Sequence, residues 1–445
     1  MLKLTLRVIL DSKKIVKPLL WMGFFLLILA PRALWAQSGL EFQNPSVLIP
    51  VDLTGIFNRY NIVIPDLLPL VPQGPNREEA SRFAKRLGAN LDMTGYFRLL
   101  DPRASLELKP RAGLTGEEPL DYSPWAKIGA NFVIKGAIEV SGSSVVLEFH
   151  LFDISTGRKT LGKRYSGNLK DARQMINRFT NEVLLAITGE PGVFGSKIIF
   201  VSGETIMVTE LGSDEAQKLY SGKGVGSSHP TLGPGNRTAW TRLNGKKWEL
   251  VVDGKVIYSG NLVVAPTFSP DGQILAGYSG LTSTNIAEFT GKAPRVITSG
   301  GGIEISPSFS PDGGMFAYVS DQAGSAGIYV APASGGPGTR LSPPGKSTDP
   351  DWSPKGDKIV FVVGERDIAI INVDGSGFVQ LTGGQGLNRH PTFSPDGRMI
   401  VFSSTRGGKS QLYVMAANGD RQQPLIPEYT LDQTLPSWSP EMPEM

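Results

Sequence analysis

Cysteine is absent from the 445-residue chain, which excludes disulfides, thiol nucleophiles and cysteine-bearing zinc, haem or iron–sulfur sites. Histidine is almost absent: only His150, His229 and His390 occur, scattered along the chain, which argues against a His-rich metal centre. No apolar run is long enough for a spanning helix, which needs about 20 residues. The longest, Leu19–Ala30, follows Lys13, Lys14 and Lys17 and is closed by Pro31 and Arg32. That basic, apolar, small-residue order predicts a secretory signal over residues 1–36, cut near Ala36. Charge of one sign is missing too. The formal +3 sits mostly in that leader, and without six of its bases and Asp11 the remaining chain is at −2. Such a balance gives no general attraction to nucleic acid or anionic lipid. Catalytic signatures are missing as well: there is no GxSxG elbow and no HExxH. GGKS (407–410) and PGKST (344–348) imitate a phosphate loop, but Ser403 and Arg340 stand where the first glycine belongs, so both read as hairpin tips.

What the chain has in excess is glycine (53) and proline (33) beside an ordinary 40% of hydrophobics, the composition of a protein with many tight turns. Most of them belong to a repeat. PTFSPDG (266–272), PSFSPDG (307–313), PDWSPKG (350–356), PTFSPDG (391–397) and PSWSP (436–440) follow a degenerate PTLGPGN (230–236). The leading prolines are 36, 41, 43, 41 and 45 residues apart, and a period near 40 is one four-stranded propeller blade. Each period holds four strand-like runs divided by turn residues, and the aromatic before each Ser-Pro is expected to pack between blades. Residues 196–221 supply three strands with no Pro-led strand before them, and 436–440 supplies a first strand with no blade behind it. Joined, they make the sixth blade. The predicted fold is therefore an α/β N-terminal domain (51–190) followed by an all-β six-bladed propeller (196–441) closed by its C-terminal strand, which removes exposed sheet edges.

In the N-terminal domain, Asn76 and Glu79 suggest a capping box, with Ala80, Phe83, Ala84, Leu87 and Leu91 at helical spacing. A second helix is predicted over 171–188, burying Met175, Ile176, Phe179, Val183 and Ile187 and stopped by Gly189 and Pro191. Strands are expected at 61–65, 96–100, 131–140, 144–154 and 160–166, forming a small mixed sheet. Residues 37–50 have no helical period and read as an arm.

Few residues carry candidate chemistry. Asp271, Asp312 and Asp396 of the repeat turns read as turn formers, not as a cation site, since a calcium loop needs several oxygens at fixed spacing. His150 alternates with Glu148 and reads as a solvated or locally bonded face residue. His229 and His390 both stand directly before a repeat proline, near the mouth of the channel. Two readings stay open there: surface recognition, or mere tolerance of the extended backbone that proline favours in its predecessor.

An exported chain with an α/β domain, a PxWSPDG propeller, a final PSWSP strand, and GANFVIKGAIEV (129–140) followed by LFDISTG (151–157) resembles the TolB family of the Tol-Pal system. The resemblance covers about residues 40–440. It implies a non-enzymatic periplasmic adaptor without cofactor that binds the lipoprotein Pal at the propeller mouth and TolA through the arm, serving envelope integrity and constriction at division. By repeat position, the Pal-facing residues would be Ser228, His229, Val264, Ala265, Glu304, Ser306, Thr348, Asp349, Arg389, His390 and Thr434. The degraded turn at Gly233 and Gly235, and Lys355-Gly356 in place of Asp-Gly, depart from the family pattern. A propeller enzyme or sensor with its site in the channel, and a generic envelope scaffold, are the rival readings.

Overall fold

The structure, a computed structural model, describes residues 59–70, 77–114, 118–221, 227–280 and 283–444. The predicted leader, the arm and Asn76 lie outside them. Among the described residues no helix is long and apolar enough to cross a membrane.

The N-terminal sheet has the order β3 (Phe97–Leu99), β1 (Tyr60–Val63), β4 (Phe132–Ser141), β5 (Ser144–Asp153), β6 (Arg158–Asn168). β1 runs parallel to β3 and β4, and β4, β5 and β6 are antiparallel. Helix α1 (Arg77–Met93) buries the five predicted apolar positions. The helix over Ala172–Thr188 buries Met175, Ile176, Phe179, Val183 and Ile187, and ends where Gly189 takes φ 77°, a left-handed value that glycine adopts without strain. Between them lies the one-turn helix Ser123–Lys127, unpredicted because so short a segment has no period. The pair Leu68–Pro69 (β2), parallel to β4, was likewise too short to read.

All six blades are four-stranded. The inner strands are Ser227–Leu232, Val263–Phe268, Glu304–Phe309, Ser347–Trp352, Asn388–Phe393 and Thr434–Trp438, taken here as blades one to six. Blade six is the clasp: Thr434–Trp438 pairs antiparallel with Lys197–Ser202, the first strand after the N-terminal domain. The aromatics pack between blades as expected. Phe268 of blade two lies with Ala239, Leu250 and Val252 of blade one, and Phe393 of blade five with Val360 and Val362 of blade four. GGKS is a hairpin tip, between Met399–Ser404 and Gln411–Ala416. PGKST is not; it is the connection that runs into the blade-four inner strand at Ser347.

One hydrophobic core joins the two parts, continuing from Leu87, Phe149 and Phe179 through Val193 and Phe194 to Ile198, Met399, Val401 and Trp438. Arg398 pins this junction from the blade-five turn. Its side chain is 6% exposed, its Nη1 donates to Thr188 Oγ1 at 3.3 Å, it pairs with Glu190, and its guanidinium lies 5.6 Å from the Tyr96 ring centroid. Arg398→Ala should therefore cost roughly 2 kcal/mol, the value of a charge-assisted hydrogen bond with a cation–π contact. The expected result in scanning calorimetry is earlier melting of the N-terminal domain, apart from the propeller; an unaltered single transition would count against the pin.

Candidate functional site

The prolines of the repeat shape the channel. Proline has no N–H to give to the ladder, so it belongs at a sheet edge or bulge, and the inner strand is an edge. In every blade the pairing of the inner strand with its neighbour shifts register across the proline, for example between Ser228 and Thr231 and between Arg389 and Thr392. The residue before each proline takes positive φ: His229 50°, Ala265 50°, Ser306 55°, Asp349 52°, His390 52° and Leu435 52°. This corrects the reading of those histidines as residues tolerating an extended backbone. The bulge directs six side chains into one ring, and none of the six is β-branched, the class for which positive φ is most costly.

The ring surrounds a cavity of about 130 Å³ at the end where the inner strands begin. A second cavity, about 500 Å³, opens at the end where they finish, lined by the Ser-Pro turns. Thr231, Thr267, Ser308, Asp351, Thr392 and Ser437 line both and form the waist between them. Waist oxygens accept from backbone N–H groups of the next blade: Phe393 N donates to Asp351 Oδ2 at 2.8 Å, Trp352 N to Ser308 Oγ at 2.9 Å, Leu232 N to Ser437 Oγ at 3.3 Å and Trp438 N to Thr392 Oγ1 at 3.4 Å. The waist thus fastens blade to blade.

Of the residues expected at the mouth, His229, Ala265, Ser306, Asp349 and His390 line the cavity. Ser228, Val264, Thr348 and Thr434 are half-buried just outside it, and Arg389 is exposed. Glu304 is the exception. It is 0% exposed, accepts from Asn285 Nδ2 at 3.2 Å and Gly300 N at 3.1 Å, and also from Thr298, so it has no surface to offer. Leu435 and Asp351 were missed. Leu435 carried the signal, since it stands directly before Pro436 as the two histidines stand before theirs.

The mouth groups are half-buried, and partial loss of solvent sets their electrostatics. Burial, with His390 nearby, holds His229 down at about 4, against an opposing pull from Asp349. Burial also lowers His390, whose Nε2 lies 3.9 Å from Asp349 Oδ2 and whose Nδ1 lies 3.2 Å from Ser403 Oγ. Burial pushes Asp351 up to about 6, against the hydrogen bonds from Phe393 N and Ser308. Both histidines are therefore neutral at pH 7.

Elsewhere the candidates are occupied by structure. Ser269, Ser310 and Ser394 hydroxyls donate to Asp271, Asp312 and Asp396, so these carboxylates close their own turns. No cluster of three or more His, Cys, Asp or Glu suited to a metal occurs among the described residues. His150 is locally bonded, its Nε2 2.8 Å from Glu148 Oε1, but it is only 8% exposed and so not solvated.

A model of the TolB amino-terminal domain matches residues 53–160, and a model of the TolB beta propeller domain matches 185–442. The chain belongs to the TolB family. It is 33% identical over 262 residues to the Tol-Pal system protein TolB of Desulfosudis oleivorans, covering 56% of this chain and 57% of that one. It is 35% identical over 318 residues to the TolB homolog of Chlorobium chlorochromatii, covering 71% and 55%. The chain thus spans about half the length of the curated relatives it matches. The crystal structure of TolB from Acinetobacter baumannii superposes with a TM-score of 0.74 at 22% identity, covering 87% of this chain and 98% of that chain, which supports the shared TolB fold.

Proposed function

We propose that this TolB-family chain is a non-enzymatic adaptor of the Tol-Pal system, exported to the periplasm, that receives Pal at the channel mouth. The observation that carries this reading is the ring itself. Six side chains of mixed chemistry, two neutral histidines, Asp349, Ser306, Ala265 and Leu435, surround a cavity too small for most metabolites. Arg389 stands exposed beside them. Small-molecule sites commonly have volumes of about 300–1,000 Å³, a range that the mouth cavity falls below and only the cavity at the opposite end of the channel reaches, whereas a ring with an exposed arginine at its rim suits a protein contact. The ring residues, with Ser228, Val264, Thr348 and Thr434 behind them, form the Pal-binding patch; Glu304 acts from beneath by holding its loop. TolA is the partner expected for the arm, residues 37–50.

Affinity capture from envelope extract tests the reading against its rivals. Pal should dominate the material retained by the exported chain, and an Arg389→Ala/His390→Ala variant should retain much less of it. Equal capture of many envelope proteins by both forms would favour a generic scaffold.

A further inference from the structure

The two edges of the N-terminal sheet differ. β3 is three residues long, whereas β6 runs for eleven, Arg158–Asn168, and among the described residues pairs only with β5. All of its residues are exposed or half-buried. The hairpin closing at Ser141 and Ser144 fixes which backbone groups are free. In an antiparallel ladder alternate residues bond to alternate neighbours. Since Ser144, Val146 and Glu148 bond to β4, the bonds from β5 to β6 fall at Gly167, Tyr165, Lys163 and Leu161. The N–H and C=O groups of Gly162, Arg164 and Ser166 therefore point outward.

Long edges are normally blunted by bulges, prolines or charged side chains. Here the register shift falls near the start, between Leu151 and Phe152 of β5, and the stretch 161–168 is regular and free of proline. The charges at its centre are already neutralised, Lys163 by Glu182 at 2.7 Å and Arg164 by Glu148 at 3.1 Å. Arg158 and Lys159, both exposed, carry no ion pair among the described residues. The two faces differ too. Leu161 and Tyr165 lie on the face that carries the helix Ala172–Thr188, where the Tyr165 hydroxyl donates to Glu182; Lys159, Arg164 and Ser166 lie on the other.

We propose that β6 is a docking edge, and that its occupant is an extended segment of a partner protein that alternates apolar and acidic residues and adds a strand beside Leu161–Asn168. The apolar residues would continue the face of Leu161 and Tyr165. The acids would lie on the face of Ser166 and Arg164, whose charge Glu148 already holds, and would meet the unpaired Lys159 at one end of that face. Strand addition of this kind takes affinity from main-chain bonds and specificity from alternate side chains. A second copy of this chain fits less well, because β6 holds no acidic residue between Arg158 and Asn168 to set against the unpaired Lys159. This proposal is independent of the reading of the channel mouth.

The probe is a capped decapeptide alternating Glu with Val and Thr, against a counterpart with Lys for Glu, added to the full chain at millimolar concentration. Hydrogen–deuterium exchange over 161–168 should slow at least tenfold with the acidic peptide and be unchanged with the basic one. Ser166→Pro removes an outward N–H without taking a bond from β5, so this variant should melt like the parent and lose the protection. Lys159→Glu should weaken it. Equal protection by both peptides, no protection by either, or protection retained in Ser166→Pro would overturn the proposal. So would protection that needs no peptide and grows with protein concentration, which would make the occupant a second copy.

Discussion

Removal of residues 434–445 is expected to abolish cooperative melting of the propeller. Thr434–Trp438 is the inner strand of blade six, paired with Lys197–Ser202, and its loss would reopen the ring at both neighbouring blades. Trp438 is 4% exposed, its Nε1 donates to Ser196 Oγ at 2.7 Å, and it shares a core with Ile198, Met399 and Val401. Two waist bonds, from Leu232 N to Ser437 and from Trp438 N to Thr392, would go with it. A buried Trp→Ala change alone costs about 3–5 kcal/mol, and each lost hydrogen bond about 1 more. Against a typical stability of about 5–15 kcal/mol, the sum is most or all of what holds a domain together. Trp438→Ala gives the graded version, with a lowered but still cooperative transition. Scanning calorimetry showing the parent curve for the truncated chain would refute the clasp.

The second large effect is a pair of opposed pH dependences within the channel. Asp351 titrates near 6 in the folded chain, above the ordinary 3.8, so folding takes up a proton. Its contribution is fully present below about pH 4 and is lost as pH rises through 6. His229 titrates near 4, below the ordinary 6.5, so folding releases a proton. Its contribution is present above pH 6.5 and is lost as pH falls through 4. Each gap exceeds two pH units, which corresponds to roughly 3 kcal/mol. In the parent chain the two slopes oppose each other between pH 4 and 6. Asp351→Asn should unmask the histidine, giving a protein that weakens steeply toward acid, the more so because His390 is lowered as well. Replacing His229 and His390 together with Gln should unmask the aspartate and weaken the protein as pH rises over the same window. Urea midpoints at pH 4, 5, 6 and 7 test this; parallel curves for the two variants would show that neither group titrates as stated.

The ring and its closure could be read from sequence because they rest on local chemistry that repeats: a proline every forty-odd residues, a Ser-Pro turn, and an unmatched strand at each end. The helices were readable for the same reason, since Phe83, Leu87 and Leu91, or Phe179, Val183 and Ile187, recur at one period. What escaped depends on tertiary placement. The positive φ before each proline follows from a bulge that exists only once the neighbouring strand is paired. Glu304 occupies a first-strand position like Asn388, and only the packing of Asn285 and Thr298 around it shows it to be buried. Asp351 stands at a position where the other blades have Thr or Ser, a visible oddity whose consequence, a half-buried carboxyl bridging three blades, needed the closed ring.

Pal binding at the channel mouth is measured directly by calorimetric titration of Pal onto the folded chain. Truncating a central interface arginine typically costs about 2 kcal/mol or more. The Arg389→Ala/His390→Ala chain, shown by its melting curve to be folded, should bind Pal at least tenfold more weakly than the parent, about 1.4 kcal/mol. Affinity within twofold of the parent would contradict the central claim.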